Sequence, residues 1–208
     1  MKKLESSLTN MVIVLVGVAI ISASLLAAVN HATEATIAEQ DKITLANGIK
    51  AVMGTDQLEV TADEDITLSI PAEGKDYSFI VHRVSDVSGQ FLGAAVESTT
   101  MGFGGDLKVL VGFDAEGSVL GYTILAHSET PGLGAKADAW FQADGKGSII
   151  GRNLSEGTLT VSKDGGDVDA ITASTITTRA FLKAVNYAYA AYADQEVDAT
   201  SGATSQAN

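Results

Sequence analysis

The pattern of apolar and polar positions changes three times along the chain. From Met11 to Val29 it reads MVIVLVGVAIISASLLAAV, 19 residues without a charge. At about 1.5 Å per residue such a run as a helix nearly spans a hydrocarbon core of about 30 Å. It exceeds the apolar segment of a signal peptide, and no clean A-x-A site follows, so a retained transmembrane anchor is expected. From Glu34 to Met53 the apolar residues Ile37, Ile43, Leu45, Ile49 and Val52 recur at helix-like spacing, and Gly54 can stop the helix. Further on, Tyr77–Val84, Phe91–Thr99, Asp106–Asp114 and Ser118–Ala126 are short runs rich in Val, Ile, Leu and aromatics. Turn residues separate them, which predicts an antiparallel meander. Helical content is expected at 135–143 and a further strand at Gly157–Lys163. Phe181, Ala184, Val185, Ala188 and Tyr192 then form the stripe of an amphipathic helix that starts near Ser174 and ends near Ala193.

These elements give an α+β protein, with one N-terminal transmembrane helix and a domain whose antiparallel or mixed sheet is flanked by helices. The expected organisation is a cytoplasmic N-terminus (1–10), a transmembrane helix (11–30), a stalk helix with a connector (31–75), a folded domain (76–193) and a flexible, polar tail (194–208).

Charge orients the chain. Lys2 and Lys3 precede the apolar run with only Glu5 beside them, whereas Glu34, Glu39 and Asp41 follow it. The positive-inside bias places the N-terminus in the cytoplasm and the domain outside it. The formal net charge is −13; Lys2, Lys3 and Glu5 contribute +1, so the remainder carries −14. Such a surface repels phosphate backbones and argues against nucleic acid as a partner. There is no cysteine, which excludes disulfides, iron–sulfur clusters and thioether-linked haem. His31, His82 and His127 are too scattered in sequence for a metal-site spacing. Redox chemistry in this chain would need an organic cofactor.

Two stretches carry candidate chemistry. In DAITAST (Asp169–Thr175), Thr175 stands where the last helix begins. Unpaired N–H groups and the positive end of the dipole favour a phosphate there. Thr172, Ser174, Thr177 and Thr178 add hydroxyls, and Ala173 leaves room. Simple N-capping would use the same residue types. In HSETPGLGAKADAWF (His127–Phe141), Pro131 fixes one φ angle, while Gly132 and Gly134 permit unusual ones. This rigid loop can hold a planar ring, with Leu133 as an apolar lid, or serve as an ordinary strand-to-helix connection.

The order ETPGLG, Lys, aromatic pair, then DAITAST before a C-terminal helix, all behind one anchor, resembles the G subunit of the Rnf electron-transport complex. The C subunit of the sodium-pumping NADH:quinone reductase shares the same FMN-binding domain. MGFGGDLKVLVGFD (Met101–Asp114) also resembles that domain's glycine-led strand. The resemblance implies a membrane-anchored subunit that relays electrons through FMN, within a complex joining ferredoxin and NAD to Na⁺ or H⁺ movement. It implies the A, B, C, D and E proteins of the Rnf complex as partners, and a flavin transferase that attaches FMN through its phosphate to a Thr. The family pattern is Asp, two residues, Ser/Thr, Gly, Ala, Thr; here the matching positions are Asp169, Thr172, Ala173, Ser174 and the acceptor Thr175. Ala173 replaces Gly and Ser174 replaces Ala, both still small. Ile176 and Thr177, together with Glu129, Thr130, Leu133 and Gly134 of the loop, are the remaining expected cofactor contacts. The tail repeats the pattern as DATSGAT (Asp198–Thr204), but no helix can start after Thr204, so Thr175 is the expected site. The alternatives are the equivalent protein of the quinone reductase, or an extracytoplasmic binding or assembly module without a redox role.

Overall fold

The computed structural model describes residues 8–70 and 74–193; the tail with Thr204 lies outside the described residues. The chain divides into two units between Thr44 and Leu45. A single helix, α1 (Leu8–Met53), runs for 46 residues and takes in both the apolar span and the stalk expected to continue from it. Its apolar part is long and apolar enough to cross a membrane. It ends at Gly54, whose φ of +68° supplies the left-handed residue that closes helices.

The second unit is built on five strands: β1 (Leu58–Ile70), β2 (Lys75–Asp86), β3 (Phe91–Met101), β4 (Asp106–Asp114) and β5 (Val119–His127). They pair in chain order and all neighbours are antiparallel, so the sheet is the expected meander extended by one strand. β1 falls in the stretch expected to be a connector. Its centre carries Asp63, Glu64 and Asp65, which hid the strand. Those charges fasten it instead: Asp63 meets the imidazole of His82 at 2.6 Å, and the Arg83 guanidinium donates to both oxygens of Glu64 at 2.7 and 3.1 Å. Cross-strand pairs of opposite charge here take the place of the apolar residues that mark the other strands.

His82 is buried and also bonds Glu97 at 3.0 Å, and Glu97 in turn pairs with Lys108. Burial works against a charged imidazole. The hydrogen bonds to Glu97 and Asp63 outweigh it and raise the His82 pKa above its ordinary value. Burial also opposes the Glu97 carboxylate, yet its bonds to His82 and Lys108 hold its pKa below the usual carboxylate value.

β3 and β4 are buried along most of their length because both of their faces are covered. On one face, Leu45, Ile49, Val52 and Met53 of α1 pack on Val84, Ala95 and Leu110. Gly112 and Gly121 are register partners. A Cβ on either would meet the Val52 carbonyl oxygen, at 2.6 and 2.9 Å, so glycine is what lets the helix backbone lie against the strands. On the other face, α3 (Thr175–Ala193) fills the main core with Phe79, Val81, Val96, Val109, Val111 and Phe113.

The expected stripe of α3 is buried apart from half-buried Tyr192, but so are Thr177, Thr178, Leu182, Asn186, Tyr187 and Ala190 around the rest of it. The helix is thus a core helix rather than an amphipathic surface one. The long segment after α2 (Ala137–Trp140) covers its second side with Leu154, Leu159, Val161, Val168 and Ile171. Gly157–Lys163, expected as a strand, joins no sheet. The Asn186 amide takes both the N–H and the carbonyl of Leu159, each at 2.9 Å. Val161 makes one isolated bridge to Val168, and Ser162–Asp164 coils into a 3-10 turn.

Candidate functional site

Three loops meet at the start of α3: the β3–β4 turn, the segment after β5, and the approach to the helix itself. Phe103, Glu129, Thr130, Leu133, Gly134, Ala173, Ser174, Thr175, Ile176 and Thr177 line one cavity of about 330 Å³. The sequence-derived site residues therefore come together, apart from Thr172, which is exposed on the approach and outside the lining.

Glu129 latches the three loops. Its Oε1 accepts the N–H of Phe103 at 2.7 Å and of Gly104 at 3.3 Å, and its Oε2 accepts the Thr177 hydroxyl at 2.6 Å. Its own N–H donates to His127 Nδ1 at 3.1 Å. The side chain is only 6% exposed, so its work is to hold the walls together. Gly102 and Gly134 pack directly against it: a Cβ would stand 2.1 Å from Oε1 at Gly102 and 2.3 Å from Oε2 at Gly134. The loop's glycines thus divide the tasks differently from expectation. Gly132 takes the unusual conformation, φ +76°, while Gly134 is needed for close approach. The loop closes through the Thr130 carbonyl, which accepts the N–H groups of Leu133 and Ala135. It then enters the 3-10 turn Gly134–Lys136 and α2, a shorter helical piece than the sequence suggested. The Tyr122 hydroxyl anchors α2 by donating to the Ala137 carbonyl at 2.6 Å.

The approach to α3 is equally fixed. The Trp140 indole N–H donates to the Asp169 carbonyl at 2.8 Å. Ser174 N–H donates to the Ile171 carbonyl, and the Thr178 hydroxyl both accepts from Ile171 N–H and donates to the Ser174 carbonyl. Between them Ala173 sits at φ +63°, the only non-glycine residue with positive φ among the described residues. The position that carries Gly in the resembling pattern therefore asks for a left-handed backbone, and small size alone does not satisfy it.

The strain at Ala173 is measurable. The left-handed conformation costs a non-glycine residue about 1–2 kcal/mol, of which glycine's greater freedom when unfolded returns about 0.5–1 kcal/mol. Ala173→Gly should stabilise the domain by about 0.5–1 kcal/mol and raise its melting temperature by about 2–3 °C. A lower melting temperature would show that the turn is unstrained.

Thr175 opens α3 with its hydroxyl 3.5 Å from Lys163 Nζ. Phe103, Ile176 and Leu133 form an apolar rim, 68%, 53% and 41% exposed. Phe103 was not anticipated, although an aromatic flanked by glycines at a strand end (GFGG) is the signal that could have found it. The site thus combines an apolar slot with a hydroxyl, a helix start and an ammonium at one end. That set fits a phosphate-bearing planar molecule. Glu129, the one buried carboxylate here, is committed to the latch, so the residues offer binding and orientation and a cofactor supplies any redox chemistry.

A profile of the FMN-binding domain family matches residues 102–190, which include Phe103, the latch and most of α3. The G subunit of the ion-translocating oxidoreductase complex of Shewanella baltica is 34% identical over 177 residues, 82% of this chain and 82% of that one. Its counterpart in Vibrio vulnificus is 35% identical over 166 residues, 77% of this chain and 78% of that one. The crystal structure of Shewanella oneidensis NqrC shares the fold, with a TM-score of 0.54 at 14% identity, over 73% of this chain and 93% of that one. The chain belongs to the G-subunit family of ion-translocating oxidoreductase complexes and is an FMN-binding electron-transfer subunit with, among the described residues, one helix able to span a membrane.

Proposed function

We propose that the chain carries a single FMN joined by a phosphodiester to the Thr175 hydroxyl and relays electrons through it inside an Rnf-type complex. The observation that carries this reading is that Thr175, at the first turn of α3, opens into the same cavity as the Glu129–Gly134 loop. Thr130, Leu133, Gly134, Ala173, Ser174, Ile176 and Thr177 line the cofactor's path. Phe103, Leu133 and Ile176 bound the isoalloxazine ring, and Glu129 keeps the walls in register. Thr172, outside the cavity, belongs to the sequence that a flavin transferase reads. The bound flavin supplies one- and two-electron chemistry, and the covalent bond keeps it from being lost outside the cytoplasm. Peptide mapping of the chain made together with a flavin transferase tests the attachment: the flavin mass should lie on the peptide containing Thr175.

The A, B, C, D and E proteins of the complex supply the ferredoxin-side and NAD-side redox sites and the path for Na⁺ or H⁺. The N-terminus lies in the cytoplasm and the domain outside it, as the basic start and acidic continuation direct. Protease added to cells stripped of any outer barrier should cut the domain. Cleavage only after the plasma membrane is opened would reverse the orientation.

A further inference from the structure

We propose that Lys163 is the counter-ion of the phosphodiester at Thr175, a positioning residue that fixes the cofactor's phosphate against the first turn of α3. The assignment rests on the attachment proposed above. Its ground is a contact that no motif predicts: Lys163 Nζ reaches to 3.5 Å from Thr175 Oγ1 across 12 residues of sequence.

The segment that presents Lys163 is built for the purpose. Asp164 N–H and Gly166 N–H both donate to the Val161 carbonyl, Ser162 N–H donates to the Val168 carbonyl, and Val168 N–H donates to that of Thr160. Gly165 turns the chain at φ +91°. Gly166 allows the return, because a Cβ there would lie 2.1 Å from the Thr160 carbonyl oxygen. Val161 and Val168, at the base of this loop, are buried in the core. The loop is then clipped to α3 by Arg179, whose Nε and Nη2 donate to both oxygens of Asp164 at 2.7 and 2.8 Å.

The distribution of charge singles out the lysine. Arg179 lies one turn beyond Thr175 and is neutralised by Asp164; Arg152 is paired with Asp167. Asp164, which follows Lys163 in sequence and attracts it, already has both oxygens on the guanidinium. Lys163 has no carboxylate within salt-bridge distance among the described residues. The ammonium and the helix N-terminus therefore converge on the one hydroxyl oxygen, and a phosphodiester there carries one negative charge for them to hold. Because Lys163 is exposed, the attraction is open to screening, which falls off over about 10 Å at 0.1 M salt.

The test compares Lys163→Gln in two full-length backgrounds in detergent: the chain made with a flavin transferase, and its Thr175→Ala variant, which has no acceptor. A counter-ion predicts a fall of about 1–3 °C in melting temperature for the flavin-bearing chain, shrinking at high salt, and almost none in the Thr175→Ala chain. Lys163→Arg should keep most of the difference. Equal losses in both backgrounds, or none in either, overturn the assignment. Should Lys163→Gln remain folded and fail to take up flavin while Lys163→Arg takes it up, the charge requirement stands. Failure of both folded variants would assign the lysine to recognition by the transferase and overturn the counter-ion role. Peptide mapping of the unsubstituted chain separates the two levels: no flavin on the Thr175 peptide removes the attachment itself, whereas flavin there with equal losses removes only the lysine.

Discussion

Thr175→Ala is expected to abolish covalent flavin and stop electron flow through the complex, while the domain still folds. Thr175 is half-buried at the mouth of the cavity, and among the described residues its hydroxyl has one hydrogen-bond partner, an exposed lysine. Loss of that contact should cost no more than about 0.5–1 kcal/mol. The walls of the site depend on neighbours of Thr175 rather than on Thr175 itself: Thr177 holds Glu129, and Thr178 closes the turn at Ser174. The denatured variant should lack flavin absorbance and the flavin mass, with a melting curve close to that of the unmodified parent. Thr175→Ser, which keeps a hydroxyl in the same place, should retain part of the attachment. Deletion of residues 199–208 removes the second acceptor-like sequence and should change neither flavin content nor electron transfer. Flavin mass on a peptide containing Thr204, with Thr175 unmodified, would sink the assignment.

Gly134→Val should be the most damaging single change in the loop. The first atom of any side chain there meets Glu129 Oε2 at 2.3 Å and Thr177 Oγ1 at 2.7 Å. Both atoms belong to the hydrogen bond that ties the loop to α3, and Glu129 also holds the β3–β4 turn through Phe103 and Gly104. Neither partner can withdraw without leaving a buried carboxylate short of donors. Overpacking of this kind costs about 1–3 kcal/mol, and a broken buried network adds to it. The expected outcome is a clear drop in melting temperature and the loss of most flavin uptake. Gly157→Val is the control, since a Cβ at Gly157 meets nothing within 4 Å and its φ is ordinary. Equal stability of the two variants, with equal flavin content, would mean that the latch does not hold the site together.

Where the sequence succeeded, the signal was local. The uncharged run, the apolar runs of β2 to β5 and the helical spacing of Phe181, Ala184, Val185 and Ala188 each lie within one element, and each registers which residues of that element leave water. The turn in TPGLG, the start of the last helix at the end of DAITAST and Gly54 as a stop were likewise readable as segments. What lay beyond reach depends on partners far away in sequence. β1 looked like a connector because its acids satisfy themselves on His82 and Arg83 of another strand. Gly157–Lys163 looked like a strand because Leu159 and Val161 are apolar, yet Asn186 of α3 takes the backbone bonds a sheet would have needed. The stripe on α3 named one buried face, and only the covering segment from Leu154 to Ile171 decided that most of the helix would be buried. Ala173 is small in sequence and left-handed in the fold. Glu129 became a latch because Thr177, 48 residues away, arrives at its second oxygen. The chain's own pattern determined which residues seek the interior and which turns are allowed. Tertiary packing decided which polar groups meet, because a hydrogen bond or an ion pair depends on distance in space and leaves no period in the sequence.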